Sequence, residues 1–407
     1  MNSITQPVSK TFHTMQLVFS ALAALMFWGV AALTFVFAII SLALPNAETE
    51  SGFLLLLVSF VMVALGAIML PGVVFAIQSL RGKDASHLRF RFSWYYWLIV
   101  PVWVGLVFAG SAASDTEGFI RYVFPPIHVL AVMIPIVVII GLAIRNLQFR
   151  SPQRASGLIA TGLMGGSFLS MIIEVVAMLA LLVLGILAIL FNPELQAKVL
   201  LFANQLSITL NDPETAQQIL LPVLQNPWVF LGMLLFFSGL VPLLEEACKP
   251  VGFWFLTGRD WTPRDGFIGG LMSGAGFALI ESLFASAQAT GEDWLFLIIT
   301  RGGTAIMHML ASGMVGWGLA SAWQQRKYFK LIGGYLLAAT LHGTWNAIAI
   351  IMGISQMGTP PQGSWLHIAG AVAPYLLGIL TAGGLVAIIL INRSFQKAVL
   401  MAQIAAG

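Results

Sequence analysis

Long apolar runs, broken by short polar clusters, fill almost the whole chain. Stretches near 15–44, 53–80, 94–113, 123–147, 158–191, 227–258, 267–290, 295–323, 331–352 and 365–391 each supply about 20 residues or more. That is the length an α-helix needs to cross roughly 30 Å of hydrocarbon. The pattern predicts an all-α, polytopic transmembrane bundle of about ten spans. The first run is about twice the length of a signal-peptide core and reads as a retained span. The longest non-spanning piece, 192–226, contains two similar helix starts, Asn192-Pro193-Glu194 and Asp212-Pro213-Glu214. Each has a cap residue, a proline at the first helical position and an acid near the positive helix end. Two short helices are predicted there, with their apolar side chains against the headgroups or against the loop side of the bundle.

The composition supports the same solvent: 59% of residues are hydrophobic, 9% are charged, and the mean hydropathy is +0.92. Nineteen basic and 16 acidic side chains cannot cover a water-soluble surface of 407 residues. Nucleic-acid-binding, secreted and cytosolic enzyme classes are thereby excluded. The single cysteine, Cys248, excludes an intramolecular disulfide. With the N-terminus inside, fifteen Lys and Arg fall in inner loops and tails, Arg91 and Arg259 among them, and only Arg121 and Lys198 fall outside. This asymmetry puts both termini in the cytoplasm and supports an even number of spans; the expected location is the cell (plasma) membrane of a prokaryote. Trp94, Tyr95, Tyr96 and Trp97 read as an interfacial belt, and His128 and His367 as residues near outer span ends.

The apolar runs divide the chain into a four-span region at 1–157, a fifth span with its outer loop at 158–226, a four-span core at 227–352, and a tenth span with a cytoplasmic tail at 353–407. The polar residues inside spans are unevenly shared among these regions. Spans one to four carry no acid, whereas spans six to nine carry Glu245, Glu246, Lys249, Glu281, Arg301, His308, His342 and Asn346. An ionisable group in hydrocarbon requires a partner or water, so each of these demands an explanation. At 1.5 Å per residue, Glu246, Glu281, His308, His342 and Asn346 all lie roughly 17–23 Å from the inner ends of their helices. Five side chains from four helices therefore share a layer, which is what one site between helices requires.

Within that layer, Lys249 follows Glu245 by four residues and Glu246 by three, so it can pair with either. Adjacent carboxylates point about 100° apart, and one of the two at most is expected to face the site centre. Pro242 and Pro250 free backbone carbonyls around the acids. Gly266, Gly270 and Gly274 form a small-residue ladder that admits a neighbouring backbone ahead of Glu281. Glu281 has no Lys or Arg within a turn of it on its own helix, so its partner lies elsewhere. Glu174, in the middle of span five, needs a partner too, and Arg301 is the candidate. His342 and Asn346, four residues apart, project from one helix face.

The set Glu245-Glu246-x-x-Lys249, Phe277-x-x-x-Glu281, His308 and His342-x-x-x-Asn346 resembles the PrsW family of intramembrane proteases. That family is similar in turn to the CAAX prenyl endopeptidases and the Abi-type membrane proteases. The resemblance covers spans six to nine and implies a membrane-embedded peptidase acting on a membrane-anchored protein. By the resemblance, Glu245, Glu246 and Lys249 match the paired-glutamate motif, and Glu281 falls where PrsW-like proteins carry glutamate. His342 and Asn346 match the last motif, and His308 completes the catalytic set.

Two chemistries stay open. Glu246, Glu281, His308 and His342 offer ligands for a catalytic Zn2+ with an open water position. Equally, Glu246 can activate water without metal, while His342 and Asn346 stabilise the oxyanion. No span contains aspartate, and no H-E-x-x-H or G-x-S-G motif supports other peptidase classes. A proton-coupled transporter or a non-catalytic membrane scaffold would use the same polar layer, although no internal repeat of the transporter kind is present.

Overall fold

The computed structural model describes residues 10–43, 49–83, 88–89, 94–209, 213–256, 261–287, 289–357, 360 and 362–406. Helices account for nearly all of these residues. The first four spans are α1 (Lys10–Ala43), α2 (Thr49–Leu80), α3 (Ile99–Ser114) and α4 (Phe124–Ala143). The fifth span starts at α5 (Pro152–Ala160), widens into a π-helical segment at Thr161–Gly166, and continues as α6 (Ser167–Leu190). Two further helices follow, α7 (Pro193–Thr209) and α8 (Pro213–Leu224). The sixth span is α9 (Pro227–Met233), a second π-helical segment at Leu234–Leu240, α10 (Val241–Cys248) and α11 (Val251–Leu256). Then come α12 (Pro263–Ala285), α13 (Gly291–Gln325), α14 (Tyr328–Gln356) and α15 (Trp365–Ala406). Among the described residues, ten helices or helix groups are long and apolar enough to cross a membrane, as the hydrophobic pattern predicts. Two-residue strands β1 (Leu88–Arg89) and β2 (Gln148–Phe149) pair antiparallel at one end.

Hydrogen bonds fix which helix ends lie together. Gln16 donates to the Gln153 carbonyl (3.0 Å), Ser79 to Gln153 Oε1 (2.8 Å), and Asn392 to the Ala143 carbonyl (2.8 Å). The ends of α1, α2, α4, α5 and α15 therefore meet on one face, called here the terminal face. The opposite, loop face carries α7 and α8. Asn192 Oδ1 accepts from the Leu195 amide (3.1 Å) and caps α7 as its sequence predicts. Asp212, Arg91 and Arg259 lie outside the described residues, as do the side chains of Trp94 and Tyr95.

α12 is the hub and is buried along almost its whole length. Its glycine ladder meets α13: Gly266 faces the Gly316 carbonyl, Gly270 that of Ser312 and Gly274 that of His308. Three features differ from the sequence expectations. The last helix runs on to Ala406 where a tail is predicted. The fifth span begins at Pro152, six residues early, because Ser151 Oγ caps α5 by accepting from the Arg154 amide. His128 is fully buried: Trp294 Nε1 donates to its Nδ1 (3.0 Å), and its Nε2 lies 3.1 Å from the Leu283 carbonyl. An outer-end position in sequence does not reveal that a neighbouring tryptophan covers the ring.

Candidate active site

The sixth span is irregular where it carries the acids, and proline explains why. Val241 donates to the Phe236 carbonyl in the i→i−5 pattern of the π segment. The next donor in that pattern would be Pro242, which has no N–H, so the Phe237 carbonyl is orphaned. Asn346 of α14 fills the vacancy, with Nδ2 2.9 Å from that oxygen. A second break lies at Pro250, where the ladder tightens to an i→i−3 bond and leaves the Lys249 carbonyl free. The Phe253 amide bonds to the Pro250 carbonyl (2.7 Å), and Ser273 Oγ of α12 donates to the freed Lys249 carbonyl at 2.6 Å. Both breaks in the helix are thus tied to neighbours, and α10 is held between them.

Glycines bring the remaining helices close. Gly343 lets α14 rest on the Ser238 carbonyl, Gly166 sits 3.1 Å in ideal-Cβ distance from Lys249 Cα, and Gly274 lies against His308. A side chain at any of these positions would push apart helices that carry the polar layer. This is the local reason why Glu245, Glu246, Lys249, Glu281, His308 and His342 converge.

Lys249 Nζ is at the centre and is fully buried. It lies 2.5 Å from Glu246 Oε1, 3.2 Å from Glu245 Oε2 and 2.8 Å from His308 Nδ1, and 4.3 Å from the centre of the Phe277 ring. Three N–H groups therefore face three acceptors, with an aromatic face beside them. His342 Nδ1 is 3.1 Å from Glu246 Oε1, and its Nε2 is 3.7 Å from Glu245 Oε2. The two imidazoles meet edge to face, with centroids 4.7 Å apart. Both adjacent glutamates contribute, contrary to the expectation that only one faces the centre; the Lys249 ammonium spans the angle between them.

Glu281 closes the layer from α12. Its Oε2 is 2.6 Å from His308 Nε2 and 3.0 Å from Arg301 Nη2, although neither contact is aligned as a hydrogen bond. Arg301 also donates from Nε to Ser282 Oγ (3.1 Å). Arg301 thus serves Glu281 and not Glu174. Glu174 lies half-buried on α6 within electrostatic reach of Glu245, Glu281, Lys249 and His342, and its Oε1 has no hydrogen-bond partner. Glu281 is the exposed member, its side chain 37% accessible against 0% for Glu246 and 11% for Glu245, so the cluster opens on its side.

Sequence reasoning missed Ser273 and Ser312, whose Oγ lies 3.5 Å from Glu246 Oε2. Each had a spacing signal, since Ser312 follows His308 by four residues and Ser273 precedes Phe277 by four. Asn346 shares the helix face of His342 and braces the π segment.

Glu245, His308 and His342 can each offer a ligand atom, all within 4.8 Å of one another. Glu245 Oε2 and His308 Nε2 are buried without hydrogen-bond partners, and two imidazoles with one carboxylate suit zinc. The donor set therefore fits a catalytic metal, with Glu245 where the sequence reading put Glu246 and Glu281. Lys249 already touches two of the three donors, so a bound cation would share them with the ammonium.

The family model for PrsW family intramembrane metalloproteases matches residues 173–379, half of the chain. The match runs from within α6 into α15 and takes in every residue of the layer. No curated protein and no solved structure matches the chain.

Proposed function

This chain belongs to the PrsW family of intramembrane metalloproteases and is a membrane-embedded protease; from that premise we propose that its polar layer cuts a membrane-anchored polypeptide with Glu245 as the water-activating base. One observation carries this assignment. If Glu246 accepts the His342 Nδ1 proton, His342 Nε2 is left as an acceptor facing Glu245 Oε2, an acceptor 3.7 Å away. Two acceptors at that distance cannot bond each other and call for a bridging donor or cation. A water there donates to both.

The water oxygen attacks the scissile carbonyl carbon while Glu245 takes one of its protons. The C–N bond then breaks, and that proton passes to the leaving amine, giving a carboxylic acid and an amine. Glu246, held by Lys249 and His342, orients the imidazole. The second N–H of Asn346 and the Arg301 guanidinium are the donors available to a developing oxyanion. A Zn2+ held by Glu245, His308 and His342 would supply Lewis-acid polarisation of the water and the carbonyl in place of proton abstraction by Glu245. The Lys and Arg asymmetry supports a plasma-membrane orientation with the terminal face in the cytoplasm.

The test uses the full chain in proteoliposomes with a single-span substrate candidate. Cleavage by the wild type and none by Glu245→Gln, with Glu246→Gln folded but slow, is expected. Equal cleavage by wild type and Glu245→Gln would remove Glu245 from the chemistry.

A further inference from the structure

A second polar site lies away from the catalytic layer, on the terminal face. A cavity of about 680 Å³ is walled by the α4–α5 turn, the start of α12 and the last four turns of α15. Arg264, Arg393 and Lys397 line it, together with Gln396, and no acidic residue does. Arg264 Nη2 bonds to Asp265 (3.2 Å), but its Nε is buried without a hydrogen-bond partner. Arg393 and Lys397 have no carboxylate partner among the described residues. Three cations gathered in one concavity repel one another, and an anion relieves that repulsion.

The depth of the cavity identifies the kind of anion. Asn392 donates to the carbonyls of Ala143 (2.8 Å) and Arg145 (3.1 Å), so α15 passes the end of α4 at residue 392. Arg393 and Lys397 follow immediately, just beyond the hydrocarbon-spanning part of the bundle, where phospholipid headgroups reside. Val399 and Leu400 line the same cavity and offer apolar surface beside the charges. Basic pockets between helices at this level suit anionic headgroups.

We propose that this cavity binds a phosphate group, seated there as the headgroup of an anionic phospholipid. The guanidinium forks of Arg264 and Arg393 take phosphate oxygens, and Lys397 adds charge.

Native mass spectrometry of the full chain, released from nanodiscs of phosphatidylcholine with phosphatidylglycerol as the minor lipid, tests it. The wild type is expected to retain phosphatidylglycerol selectively. Each basic side chain lost beside an anionic headgroup costs about fivefold in affinity, so Arg393→Gln/Lys397→Gln should bind about 30-fold more weakly. Arg81→Gln/Lys83→Gln removes the same charge from the same face outside the cavity and should retain the lipid. Titration with inorganic phosphate separates the sources. A lipid that persists through it marks a headgroup site, and a lipid displaced by it marks a site for a soluble phosphate-bearing anion. Equal retention by wild type and Arg393→Gln/Lys397→Gln, or equal loss in Arg81→Gln/Lys83→Gln, overturns the proposal.

Discussion

Lys249→Met is the sharpest probe of how the layer is held together. Lys249 is fully buried and is the only Lys or Arg in contact with Glu246 among the described residues, with Glu245 3.2 Å and His308 Nδ1 2.8 Å away. Methionine keeps the length and apolar stem but removes the charge, which leaves two adjacent carboxylates facing each other without a cation. Breaking a buried ion pair in this way costs about 3–5 kcal/mol. Glu246→Gln leaves the opposite charge better served, because Glu245 Oε2 still lies 3.2 Å from the Lys249 ammonium, and should cost less. In the double variant Glu246→Gln/Lys249→Met only one acid of the adjacent pair remains, and the destabilisation should fall about 2 kcal/mol or more short of the sum of the singles. Unfolding in a detergent titration, followed by fluorescence of the 12 tryptophans, reads all three. If Lys249→Met costs less than about 1 kcal/mol, or if the single losses add, the ammonium is not the keystone of this cluster.

Three further outcomes follow from the same geometry. Glu245→Gln should lower cleavage by about 10²–10⁴ with little change in unfolding, whereas a purely structural Glu245 would show the reverse. At Gly274 an added Cβ would sit 2.6 Å from the His308 carbonyl oxygen and 2.9 Å from Ser312 Cβ. Gly274→Ala should therefore cost about 1–3 kcal/mol and slow cleavage, while Gly333→Ala, with open space around it, should be neutral or stabilising; matching behaviour of the two would contradict the packing argument. Equilibrium dialysis against Zn2+ should load one ion per wild-type chain and none on His308→Ala or His342→Ala, and unchanged loading in both variants would move the metal elsewhere.

What the sequence made legible is what a bilayer enforces. Crossing hydrocarbon requires about 20 apolar residues, so the ten spans stand out even where their ends shift. The depth agreement of Glu246, Glu281, His308 and His342 was readable for the same reason, because helical rise converts residue number into position. Partners across helices were not. Arg301 lies as plausibly beside Glu174 as beside Glu281 until the rotation of α13 against α12 is known, and the Gly270 and Gly274 contacts set that rotation. The 100° argument for Glu245 and Glu246 failed because a long lysine chain can reach both. Asn346 looked like a site residue on its spacing to His342, and only the π segment, with Pro242 unable to donate, reveals what its amide holds. His128 was hidden by Trp294, a residue 166 positions away.

The central claim is that Glu245-dependent hydrolysis of membrane-anchored proteins occurs in this layer. Its most direct test is a mass-spectrometric census of new protein N-termini in membranes of cells carrying wild type or Glu245→Gln at matched levels. Specific ends on membrane proteins, present with wild type and missing with Glu245→Gln, are the expected result. Identical sets of ends in the two membranes would contradict it.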